Sequence, residues 1–234
     1  MTPRRYPEQK FAGTPTQSLE ILFAKLVKDA IETSDHWILG SQERISPDRL
    51  FGMVQMDRIA DAMLPLGEMI DCSVYLQHMA SGNVDPFKRE RSKSRDTLWE
   101  LELLAILKNQ GFSAELEEPP DIVVELGSAR IGIACKKFYS TKHVQNVLST
   151  AVSQIEGAFD YGILAVNIDE LIPPAQIIKA PTTDELGRLL SRANVEFLGL
   201  HDRHFRKYLA TGRLLGAMVS IGGIADVFQD NPRL

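Results

Sequence analysis

Between Asp121 and Lys137 the chain reads DIVVELGSARIGIACKK, two short apolar runs joined by Gly127-Ser128. Runs of this length bounded by turn residues are strands, and so short a connection makes them neighbours in one sheet. Side chains alternate across a sheet, so Gly132, Ala134 and Lys136 share one face while Ile131, Ile133 and Cys135 share the other. The second face is wholly apolar and belongs to the core. The first points Lys136 toward the strand that begins at Asp121, just after Pro119-Pro120.

The flanking segments supply elements to cover that sheet. DTLWELELLAILKNQG, residues 96–111, is a helix with a glycine stop, and FSAEL precedes the strand pair as a third short strand. A second helix runs from about Lys142 to Gly157, with Val144, Val147, Leu148, Ala151, Val152 and Ile155 in register to pack on a sheet. YGILAVNI then has the unbroken apolar character of a strand covered on both faces. Further on, Thr182 and Glu185 suggest a capping box opening a helix through about Ala193. VEFLGL (195–200) reads as a strand, DRHFRKYLATG as a helix and LLGAMVSI as a strand.

The first third is helical instead. TQSLEILFAKLVKDAIETS places Leu19, Leu22, Phe23, Leu26, Ala30 and Ile31 on one amphipathic face. A second helical region spans about Pro47 to Met79, with Ser46 as its N-cap and Pro47 in the tolerated first turn. SGNVDP breaks the pattern. The expected organisation is an N-terminal helical region over residues 1–84 and an α/β domain over 85–234, a mixed sheet core flanked by helices.

At 234 residues and 44% apolar composition the chain can bury a substantial core. A net charge of -5 argues against a uniformly basic nucleic-acid coat, so any such contact has to come from a local patch. Cys72 and Cys135 have no metal or disulfide spacing, and His201 and His204 lack the further ligands a zinc site needs. The start MTPRRYPEQKFAGTP has no signal-peptide character, and LLGAMVSIGGIA is too short and glycine-broken to span a bilayer. The expectation is a cytoplasmic protein with reduced thiols and no membrane partner.

Pro120-Asp121 followed, after a gap, by Ala134-Cys135-Lys136 resembles the motif of the PD-(D/E)XK nuclease superfamily, in which an acid, any residue and a lysine occupy the second half. The resemblance covers roughly residues 90–170, including the helix, three strands, helix, strand order, and implies a restriction-endonuclease-like core. It implies cleavage of phosphodiester bonds with Mg2+ or Mn2+, on DNA rather than RNA, in a restriction or defence role. Carried over residue by residue, Asp121 is a metal ligand, Lys136 the catalytic lysine and the Cys135 main-chain carbonyl a further ligand. The preceding helix often adds an acid in such enzymes. Glu100 lies at the edge of the packed stripe, whereas Glu102 is about 200° around the helix at 100° per residue.

Ala134 departs from the pattern where the second acid belongs, and a methyl group cannot coordinate a cation. With the rest of the motif intact, the expectation is an introduced substitution that inactivates a working nuclease. The alternative is a naturally silent relative that binds nucleic acid or a protein without cutting. Lys88, Arg89, Arg91, Lys93 and Arg95 form a basic segment beside the site that suits phosphate contact, Lys137 and Lys142 extend it as a rim, and Gln154 is a polar candidate on the following helix. The N-terminal helical region is the expected seat of homodimerisation or substrate selection.

Overall fold

The computed structural model describes residues 27–32, 35, 46–67, 73–82, 90–156, 158–174, 176–212 and 214–229. Of the first amphipathic helix, residues 27–32 are helical, with Ala30 buried but Ile31 exposed. Leu19, Leu22, Phe23 and Leu26 lie outside the described residues, as do Cys72, Lys88 and Arg89. Helix α1 (Pro47–Gly67) starts where Ser46 takes the Arg49 N–H on its hydroxyl. Helix α2 (Ser73–Ser81) follows, then α3 (Lys93–Asn109), which ends as Gly111 adopts a φ of 84°.

Strands β1 (Ser113–Glu117), β2 (Asp121–Leu126) and β3 (Ala129–Lys137) form an antiparallel meander, and the β2–β3 turn uses Gly127 at a φ of 63°. Helix α4 (Val144–Ile155) returns the chain so that β4 (Tyr161–Asn167) lies parallel to β3. A short 3-10 turn (Asp169–Leu171), β5 (Ile178–Ala180), helix α5 (Thr183–Leu209), β6 (Leu214–Ser220) and β7 (Ala225–Val227) complete the order. The main sheet is mixed and five-stranded, β1-β2-β3-β4-β6, with β5 and β7 paired separately. Sequence periodicity did not distinguish β5 and β7, each of only three residues.

Two apolar cores lie on opposite faces of the sheet. One joins Ile131, Ile133 and Cys135 to Leu101 and Leu104 of α3, and reaches Ile59, Met63 and Leu66 of α1 and Met79 of α2. The helices before residue 84 thus share a core with the sheet. The other face buries Ala134, Leu164 and Val166 under Leu148 and Ile155 of α4 and Phe197 and Phe205 of α5. Gly132 and Gly162 pair across β3 and β4, and a Cβ on Gly132 would come within 2.8 Å of the Phe159 ring. Glycine here lets α4 and its exit sit tight on the sheet.

VEFLGL is helix rather than strand: α5 runs unbroken for 27 residues, capped by Thr182, which accepts the Glu185 N–H. Val195 and Leu200 point outward, while Phe197 packs 5.6 Å from Phe138 and 4.8 Å from His201 between ring centroids. The deciding pattern is Phe197, His201, Phe205, Tyr208, a helical stripe that the local β-rich composition hides. No helix among the described residues is long and apolar enough to cross a membrane.

Candidate functional site

Asp121 opens β2 at the point where the strand leaves Pro120, and its carboxylate extends beyond the β2–β3 ladder to the edge of β3. There Oδ2 accepts the Cys135 backbone N–H at 2.7 Å and lies 3.1 Å from Lys136 Nζ. Continuing the antiparallel register one step past Ile122–Ile133 sets Asp121 opposite Ala134, so Lys136 needs only to lean along its strand to reach it. Because the Cys135 N–H leaves toward Asp121, the carbonyl of that residue leaves on the same edge. Both charged side chains are largely covered, Asp121 at 9% and Lys136 at 17% exposure.

Glu100 comes to this centre from α3. It is half-buried, and burial followed by the charge of Asp121 pushes its carboxyl up to about 8, with Lys136 pulling the other way. Burial likewise raises the Asp121 carboxyl, and the Lys136 ammonium with the Cys135 N–H does not cancel it. The buried Cys135 thiol is held well above its ordinary range, first by burial and then by Asp121 and Glu100. It is an inert neighbour and not a nucleophile. Glu118, exposed on the turn before Pro119-Pro120, adds negative charge felt by both carboxyls. Its adjacency to the Pro-Asp step was the available signal in the sequence.

Glu100 and Glu102 diverge as the helical angle requires. Glu102 faces α1 and is held by Arg58 through Nε at 2.8 Å and Nη2 at 3.0 Å, away from Asp121. Arg58, Glu102 and Asp169 form a second charged cluster with no sequence motif to announce it.

The basic residues divide. Arg91 and Lys93 are exposed, and Arg91 pairs at 3.5 Å with Asp96. Arg95 turns inward at 4% exposure, 3.2 Å from Glu170 and 5.2 Å above the Tyr139 ring. Lys137 points to the face opposite Lys136, where its Nζ donates to Asn167 Oδ1 at 2.9 Å and lies 3.6 Å from Asp169. The expected phosphate contacts are therefore corrected at Arg95 of the basic segment and at Lys137 of the rim, since helix phase and strand alternation carry them inside. Lys142 is exposed. Gln154 is half-buried, and its Oε1 finds no partner among the described residues.

A divalent cation wants several oxygen ligands. Ala134 contributes none and is fully buried, Asp121 Oδ2 already serves Cys135 and Lys136, and among the described residues no three His, Cys, Asp or Glu side chains group as a metal site. The donor set as it stands does not fit Mg2+ or Mn2+. Two covered carboxyls beside one ammonium can hold and exchange a proton, and Lys136 can present positive charge to an anion.

No protein-family model matches the chain, and neither a curated protein nor a solved structure matches it significantly.

Proposed function

We propose that this chain is a restriction-endonuclease-like domain of the PD-(D/E)XK type, directed at DNA phosphodiesters and held in a non-cutting state by Ala134. The contact that carries the reading is Lys136 Nζ to Asp121 Oδ2 at 3.1 Å, with Glu100 beside it from α3. An acid and a lysine at one strand edge, with a second acid on the helix that packs against the sheet, suit a reaction in which water must be aligned and phosphate charge relieved. In this reading Lys136 faces the scissile phosphate, Asp121 orients it, and Arg91 and Lys93 meet the flanking backbone. Cutting then depends on an acid at position 134, which would complete the oxygen set for Mg2+.

Ala134→Glu incubated with plasmid and Mg2+ tests this. Nicking or linearisation that disappears in Ala134→Glu/Asp121→Asn supports it, and a folded Ala134→Glu protein that never cuts sinks it. A second reading, a natural binder of DNA that never cut, gains from one observation. Ala134 is fully buried in the apolar cluster beneath α4, where a carboxylate would have to be desolvated. That reading expects DNA binding by the chain as it stands and none gained or lost on adding Mg2+.

A further inference from the structure

A charged cluster lies on the face of β3 opposite the Asp121–Lys136 pair. Arg58, from α1, grips Glu102 with two bonds and places the same Nη2 3.0 Å from Asp169 Oδ2. Asp169 in turn lies 3.6 Å from Lys137 Nζ, and its Oδ1 accepts the Gly222 N–H at 2.5 Å. Asn167 takes Lys137 Nζ at 2.9 Å and passes a hydrogen bond to Ser220 at 3.2 Å. Lys137 at 4%, Asp169 at 9% and Glu102 at 18% exposure are covered, while Arg58 keeps 33% of its side chain exposed.

Its two arms end next to the candidate site. Glu102 is two residues from Glu100 on α3, and Lys137 follows Lys136 and Cys135 on β3. The spacing between Glu100 and the two groups that grip Asp121 is thus the spacing between α3 and the end of β3. Both of those elements are fastened to Arg58 and Asp169. A guanidinium can bind one carboxylate through two donors and still reach a second, which a lysine ammonium on the same helix cannot reproduce.

We infer that Arg58 and Asp169 are positioning residues that set Glu100 against the Asp121–Lys136 pair, making helix α1 a working part of the site. The inference rests on the reading of that pair as the functional centre. The Cys135 amide reports how the end of β3, which Lys137 fastens to Asp169, sits against Asp121, because its proton is bound by that carboxylate. In the 234-residue chain, Arg58→Lys and Asp169→Asn are expected to move the Cys135 amide proton upfield and hasten its exchange. Met63→Ala, a core truncation on the same helix, lowers the melting temperature without doing so. An unmoved Cys135 amide in folded Arg58→Lys, or the same movement in Met63→Ala, overturns the inference.

In the Ala134→Glu background the expected effect of Arg58→Lys is a kcat lower by roughly a hundredfold at unchanged KM. A fall in KM alone, or no fall in kcat, also overturns it. If Ala134→Glu does not cut at all, the nuclease reading falls, and the Cys135 amide still decides whether Arg58 positions the site.

Discussion

Lys136 and Cys135 converge on a single oxygen: Asp121 Oδ2 lies 3.1 Å from the lysine Nζ and 2.7 Å from the cysteine backbone nitrogen. One side chain therefore ties the start of β2 to the end of β3 and neutralises a covered ammonium. Asp121→Ala leaves Lys136 and the Cys135 N–H without that acceptor. The expected loss is about 1–3 kcal/mol in urea unfolding, since Lys136 keeps some solvent. Asp121→Asn retains the shape and loses less. Equal losses for the two variants would show that the carboxylate charge, and not the shape of the side chain, carries the whole contact.

Glu100 makes the fold pH-dependent. Its carboxyl, raised to about 8, holds a proton in the folded state that the unfolded chain gives up near its ordinary value of 4.5. Its contribution is complete below that value and drains away as pH climbs through about 8. Burial of Asp121 and Asp96 acts in the same direction. Urea midpoints should fall from about pH 5 to about pH 8, and Glu100→Gln should flatten the slope. A midpoint that rises over this window would contradict the placement of Glu100.

The strand pair, its register of faces and the helix–strand order around it were legible because apolar alternation and glycine stops act locally. Asp121, Lys136 and Glu100 could be brought together on paper for the same reason. Lys137 could not be placed: alternation sends it to the face opposite Lys136, but its partners Asn167 and Asp169 lie about 30 residues on, beyond any local pattern. Arg58 is the same kind of case, with its carboxylates on α3 and after β4. The burial of Ala134 depended on how closely α4 packs, which Gly132 and Gly162 permit only once β3 and β4 are paired.

The two adjacent lysines should separate stability from binding. Lys137→Ala removes a covered cation between Asn167 and Asp169 and should cost about 3 kcal/mol, leaving Asp169 with Arg58 as its ion-pair partner among the described residues. Its effect on DNA affinity should be small in any variant that stays folded. Lys136→Ala should do the reverse, weakening DNA binding across sequences and reducing the salt slope by about one. Fluorescence anisotropy over a salt series, read beside thermal melts, distinguishes these. Loss of binding by Lys137→Ala alone would place the phosphate on the wrong face of β3.

Ala134→Glu should respond to cations even before any cutting is measured. A carboxylate forced into the cluster with Leu148 and Leu164 strains the packing, and overpacking of this kind typically costs about 1–3 kcal/mol. Without divalent ions its melting temperature should therefore lie below that of the unchanged chain. Millimolar Mg2+ should recover part of the difference, because a cation held by position 134 and Asp121 binds only the folded state. The unchanged chain should show no such gain. Thermal melts of both proteins with EDTA and with Mg2+ provide the comparison, and an Ala134→Glu variant that stays equally destabilised in both would mean that the strand edge does not assemble a cation site.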